Sequence, residues 1–224
     1  MNPLATPALL HLGPVPITEP VVITWGIMLA MTLGALILTR RLTLIPSAIQ
    51  AALETLVSGV DTQIRGIVQG DPAPYRGFIG TIFVFILLAN WCSLIPGIEP
   101  PTSHIETDAA LALLVLVAIV AYGIRAGGVR GYLGHFASPS VFMIPLNFVE
   151  TITRTFSMLV RLFGNVMSGV VLIGVVGSLA RLFVPIPLMA LDLLTGAIQA
   201  YIFAILAAVF IADAASPETP DDKE

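Results

Sequence analysis

The sequence predicts an all-α, polytopic membrane protein, and three features carry that expectation. The 224 residues are 57% hydrophobic and 11% charged, whereas a soluble domain carries about 25% charged residues. Mean hydropathy is +0.96. The apolar residues gather in runs long enough to cross a hydrocarbon core of about 30 Å, which takes about 20 residues in a helix. A surface so poor in charge suits lipid rather than water.

Five runs are expected as membrane helices, at about 20–40, 77–96, 109–125, 141–183 and 187–213, in one membrane domain over 1–215 with a polar tail over 216–224. The first ends at Arg40-Arg41. No basic stretch precedes it, so a cleaved secretion signal is not expected and the run reads as retained. Between the first and second runs, 46–69 places Ala48, Ala52, Leu56 and Val60 near helical spacing, with Glu54, Asp61 and Arg65 interleaved. Pro46 suits a first helical turn. This segment reads as an amphipathic helix at the membrane interface or packed on a partner, with a plain connector as the alternative.

The second run starts just after Arg76, and the third ends near Arg125 and Arg130. The Gly-rich stretch 126–140 reads as a loop. The fourth run is too long for an upright span: 40 helical residues reach about 60 Å, so it must tilt, bend or leave the bilayer. The fifth is also generous, and only a short turn around Pro185-Ile186-Pro187 separates the two. The pair is therefore expected to be a long, tilted antiparallel hairpin. No internal repeat is visible, which argues against inverted-repeat transporters.

Basic residues orient the spans. Arg40, Arg41, Arg65, Arg76, Arg125 and Arg130 fall on one side, while the opposite loop 97–108 holds Glu99, Glu106 and Asp108 with no Lys or Arg. The expected topology has the N-terminus outside and the C-terminus in the cytoplasm, with Arg181 as the exception. The net charge of −4 is partly borne by the tail, and no basic cluster suggests nucleic acid. The single cysteine, Cys92, excludes an intrachain disulfide and reads as apolar filler. The scattered histidines give no metal-ligand spacing, and no cofactor is expected.

The chemistry lies in polar residues where the membrane should be apolar. Glu150, Arg154, Ser157, Arg161, Asn165 and Ser168 follow one another at spacings of 4, 3, 4, 4 and 3, so they share one helical face. Arg161 sits between Met158-Leu159-Val160 and Leu162-Phe163. A charged side chain at mid-membrane costs at least about 2.5–3.5 kcal/mol, and a guanidinium does not escape by losing its proton. It must face water, a counter-charge or protein; a static pair with Glu150 or Asp192 is the plain structural alternative. On the fifth run Asp192, Thr195 and Gln199 again share a face, as a water-accessible cavity would require. Helix-end capping is the alternative there, and Asp213 reads as a solvated terminus. Small residues from Gly164 to Ser178 allow close helix approach, within the chain or to a partner.

At Arg161 the residues meet a known pattern. Arg161-Leu162-Phe163-Gly164-Asn165 resembles the RLFGN signature of the a subunits of F-type ATP synthases. Ile144-Pro145-Leu146-Asn147 with Glu150 resembles that family's P-x-N-x-x-E lead-in, and Gln199-Ala200-Tyr201-Ile202-Phe203 its Q-A-Y-I/V-F stretch. Asn90 with Leu94-Ile95-Pro96-Gly97 resembles its N-x-x-x-L-I-P-G span end. The resemblance covers about 20–212. It implies a non-catalytic ion-translocating subunit of a rotary ATP synthase in a bacterial plasma (inner) membrane. Its partners would be a ring of c subunits, b-type peripheral stalk subunits and the rest of the complex. Arg161 would be the stator arginine, Asn165 and Gln199 would line the ion path, and Ser157 and Glu150 would lie toward its cytoplasmic side. Asp192 would serve an outer half-channel. Protons, or sodium, would pass.

Three departures from the pattern stand out. Val170 occupies a position that is Glu or His in some members, and Arg154-Thr155 stands where Lys-Pro is common. His104, Glu106 and Asp108 replace a commoner D-x-N-x-T pattern and are the candidates for outer access. The short chain and the run Asp71-Pro72-Ala73-Pro74-Tyr75-Arg76 resemble a divergent branch, the N-type ATPases. The runner-up function is a stand-alone secondary transporter or channel with an intramembrane Arg/Asp site. An intramembrane enzyme lacks a Ser/His or paired-Asp constellation.

Overall fold

A computed structural model describes residues 8–12, 15–40, 47–68, 71–95, 98–137, 142–179 and 185–215. Apart from a short ribbon pairing β1 (Ala8–Leu12) with β2 (Val15–Thr18) antiparallel, which the sequence reading missed, the elements are helical. They are α1 (Glu19–Thr39), α2 (Ala48–Ile67), α3 (Ala73–Trp91), α4 (Ile105–Ala137), α5 (Met143–Leu179) and α6 (Pro185–Ala215). Five of the six, all but α2, are long and apolar enough to cross a membrane.

α1 opens with Pro in its first turn, where the ring costs no hydrogen bond. Its Thr24, Thr32 and Thr39 hydroxyls each donate to the carbonyl four residues back, at 2.8, 2.8 and 2.6 Å. Such bonds satisfy the hydroxyl inside a segment that lipid surrounds. Only Pro20 and Ile27 of this helix are buried.

α2 begins at Ala48, capped by Ser47, whose hydroxyl accepts from the Gln50 amide at 3.3 Å; Pro46 lies outside the described residues. The amphipathic helix packs on its own chain. Ile64 is buried with Ile79 of α3 and Ala204 and Ala208 of α6. Arg76 forks onto the Asp61 carboxylate, and Tyr201 donates its hydroxyl to Gln63 Oε1 at 2.9 Å. α2 is thereby tied to both helices.

The stretch 126–140 is not a loop throughout. α4 runs on to Ala137, with a single non-helical residue, Gly128 (φ 70°, ψ 173°). Glycine adopts that positive φ without a Cβ clash, so the chain breaks direction there and resumes helix. Beyond the break Tyr132 folds back over Gly123. A Cβ at 123 would lie 2.5 Å from that ring and 3.0 Å from the Ala214 carbonyl oxygen. The glycines mark a bend and a close approach rather than an end to the helix. α4 also starts earlier than expected, at Ile105, with Glu106 and Asp108 in its first turn, where the helix dipole favours acids.

α5, at 37 residues, is about 55 Å long. It runs antiparallel to α6: Arg154 meets Asp213 near one end, and Gly169 meets Asp192 toward the other. The expected turn between them, with Arg181, lies outside the described residues except for its last residues, Pro185-Ile186-Pro187, which already open α6. The tail 216–224 is likewise outside. One core joins four helices: Ile82 and Ile86 of α3, Val115 and Ile119 of α4, Met158, Leu162 and Val166 of α5, and Ala200, Phe203, Ala207 and Ile211 of α6. The alanines of α6 let its neighbours approach closely.

At the α3–α6 contact, a Cβ on Gly196 would sit 3.0 Å from the Asn90 Cβ. Gly196→Val is expected to overpack this contact at a cost of about 1–3 kcal/mol. A lower temperature for loss of the subunit from the detergent-solubilised complex would register it, and an unchanged temperature would speak against the contact.

Candidate functional site

α5 carries two unlike faces. Met158, Leu162 and Val166 are buried in the core, whereas Ser157, Arg161, Gly164 and Ser168 are exposed and Asn165 is half-buried. The polar stripe read from the sequence thus runs along the outer flank of the bundle. A groove of about 540 Å³ follows part of it, lined by Glu150, Arg154, Ser157 and Arg161 of α5 and by Leu206 and Phe210 of α6.

The two arginines of this groove differ. Arg154 donates to Glu150 Oε1 at 2.5 Å and to Asp213 Oδ2 at 2.8 Å, and its guanidinium lies 5.2 Å from the centre of the Phe210 ring. Asp213 is therefore not a free solvated terminus, as the sequence suggested, but half of a tie between α5 and α6. Arg161 has no acid within ion-pair distance among the described residues. Both acids considered as static partners are engaged elsewhere: Glu150 with Arg154, and Asp192 with Ser93. The two contacts that pin the hairpin put Arg161 level with the stretch 200–206 of α6.

Toward the other end of α6, Asp192 accepts from Ser93 Oγ at 3.1 Å and leans over α5. A Cβ on Gly169 would come within 2.1 Å of Asp192 Oδ1, so the carboxylate occupies the space that this glycine leaves. Thr195 does not extend the polar face outward; its hydroxyl donates to the Asp192 carbonyl at 3.0 Å. Asn90 bridges two segments. Its Nδ2 donates to the Gly196 carbonyl at 2.9 Å, and its Oδ1 accepts from Thr102 Oγ1 at 2.7 Å. Trp91 Nε1 donates to the Leu193 carbonyl at 3.3 Å.

Gln199 is buried on α6, and its amide nitrogen has no hydrogen-bond partner among the described residues. It does not line the groove that holds Arg161. The three residues expected at the outer loop separate. Glu106 is exposed, His104 lies 3.5 Å from Glu99, and Asp108 is fully buried. Sequence reasoning singled out Asn90 only as part of a motif, and it missed Ser93 and Thr102. An asparagine alone in an apolar run was the available signal, because a buried amide needs partners.

Five apolar helices and a charged stripe on the flank of their bundle define a multi-pass membrane protein built to handle ions. The family model described as ATP synthase A chain matches residues 21–212, and the chain belongs to that family, the a subunits of F-type ATP synthases. It is similar to ATP synthase subunit a 2 of Bradyrhizobium sp. strain BTAi1, 52% identical over 210 residues, which is 94% of each chain. ATP synthase subunit a of Albidiferax ferrireducens is 45% identical over 202 residues, covering 89% of this chain and 87% of that one. ATP synthase subunit a 2 of Acaryochloris marina is 46% identical over 195 residues, covering 86% and 83%.

The Arg154–Asp213 tie is partly exposed on both sides, so its coupling energy should be about 0.2–1 kcal/mol. A double-mutant cycle of Arg154→Gln and Asp213→Asn on thermal loss of the subunit would measure it. Additive effects would show that the pair carries no coupling.

Proposed function

We propose that this chain is the stator ion-channel subunit of a rotary ATP synthase, passing ions to and from carboxylates on a ring of c subunits. The observation that carries the reading is Arg161, a permanent charge exposed on the flank of the bundle with no acid within ion-pair distance among the described residues. A fixed cation in an apolar layer needs a negative partner, and a moving ring of carboxylates supplies one. The chain itself is non-catalytic; the soluble head of the complex, held by b-type stalk subunits, performs the ATP chemistry.

The groove with Ser157, Arg161 and Glu150 would serve as the cytoplasmic half-channel, and the Asp192–Ser93 end would open to the outside. This orientation sets the N-terminus outside and the C-terminus in the cytoplasm of a bacterial inner membrane, following the placement of basic residues. Asn165 and Gln199 lie between the two ends.

An ion arriving from one side neutralises a ring carboxylate. The neutral site can then enter lipid, because burying an unpaired charge is expensive. After most of a turn it loses its ion on the other side, and the freed carboxylate is drawn to Arg161. At about 4 Å and an effective dielectric of about 20, that attraction is about 4 kcal/mol, and it favours the ionised form. The same charge blocks cations from passing straight between the half-channels. Each charge crossing 100 mV releases about 2.3 kcal/mol, so several per turn can drive ATP synthesis. Neither the groove nor the relatives favour a stand-alone transporter.

Arg161→Ala is expected to abolish ion-driven ATP synthesis in reconstituted vesicles, and Arg161→Lys nearly so, because the planar fork is lost. Wild-type rates in either would refute the role. Asp192→Asn should slow transport from the outer side, and unchanged rates across pH would count against that assignment.

A further inference from the structure

Among the described residues Asp108 is the one buried acid, and neither of its carboxylate oxygens has a hydrogen-bond partner. It shares a stripe with Ala112, Val115 and Ile119, all buried, so it points into the bundle where α4 packs on α5 and α6. Gly123 of α4 lies against Ala214 of α6. Asp108, 15 residues earlier, is about 22 Å along the helix from that contact. This places it at the Asp192 end of the bundle. The other buried polar side chains are Asn90, Thr102, Ser103 and Gln199. Asn90 and Thr102 hold each other, while the Gln199 amide nitrogen is unpartnered like Asp108.

A carboxylate in such a place is expensive to keep ionised and dry. A hard metal cation would need about six converging oxygens, and no group of three or more His, Cys, Asp or Glu side chains placed to hold one occurs among the described residues. A proton needs only the carboxylate. The ionisable groups on neighbouring elements are few. α6 offers Asp192, engaged with Ser93, and the segment before α4 offers His104, beside Glu99. Glu106 on α4 itself is exposed. α5 has no ionisable side chain from Leu162 to Leu179, and α3 has none after Arg76.

We infer that Asp108 is a proton-carrying carboxyl of the outer half-path, a second station beside Asp192 that connects the outer surface with the interior at Gln199. The inference rests on the stator reading above. In the step itself, hydronium gives its proton to the carboxylate, forming an O–H bond and leaving water. That bond breaks again when the proton moves on toward a ring carboxylate.

The test uses the assembled ATP synthase in vesicles, with ATP-driven proton pumping read by a pH-sensitive dye and sodium-22 uptake followed in parallel. Asp108→Asn keeps the shape and removes the titrating oxygen. It is expected to lower proton pumping at least about tenfold while the chain stays in the purified complex, and Asp108→Glu should recover most of the rate. Wild-type pumping in Asp108→Asn would overturn the inference. So would loss of the chain from the complex in both variants, which would make Asp108 a structural group, or an effect confined to sodium-22 uptake. Arg161→Ala run alongside separates the two claims. Wild-type pumping there defeats the stator reading, whereas an inactive Arg161→Ala beside an unaffected Asp108→Asn defeats the present inference alone.

Discussion

The organising constraint of this molecule is a guanidinium that cannot discharge, set on the outside of a helix bundle within an apolar layer. An arginine stays charged at any biological pH, and low dielectric makes its field strong and long in reach. Among the described residues, the acids that could reach it are engaged elsewhere. Glu150 and Asp213 hold Arg154, and Asp192 is held by Ser93. Of the two arginines at this groove, one is thus paired within the bundle and the other has no acid within ion-pair distance among the described residues.

The packing serves that division. Met158, Leu162 and Val166 bury one side of α5 so firmly that the opposite stripe has only one direction to face. The Arg154–Asp213 tie fixes the hairpin at one end, and Gly169 admits the Asp192 carboxylate toward the other. Between these anchors the antiparallel register brings α6 alongside Arg161. Polar groups at the two ends lie on different sides of α5 and α6. The groove with Ser157 is open on the flank, while Asn90, Thr102 and Asp108 are buried within the bundle. That difference is what supports two offset paths, rather than one straight pore, in the proposed function.

Much of this was legible from periodicity. The spacing of Glu150, Arg154, Ser157, Arg161, Asn165 and Ser168 determines a face whatever the tertiary structure, and apolar run length determines the spans. What spacing does not encode is which residue of another helix stands opposite. Hence the Arg154 partner of Asp213, and the contacts of Ser93 with Asp192 and of Thr102 with Asn90, are not legible in the sequence. Gly128 misled for a different reason. Glycine signals a break, but a single positive φ bends a helix without ending it. The N-terminal ribbon left no clear alternation to read in so short a stretch.

The central claim is that the Arg161 face of α5 meets a rotating partner. Photo-cross-linking side chains placed singly at Ser157, Gly164 and Ser168, and at the buried Leu162 and Val166, would test it in the intact complex. The account predicts cross-links to the ring subunit from the three exposed positions, blocked or redistributed by rotation during ATP hydrolysis, and none from the two buried ones. Cross-links from the exposed positions only to lipid, or to this chain itself, would contradict it.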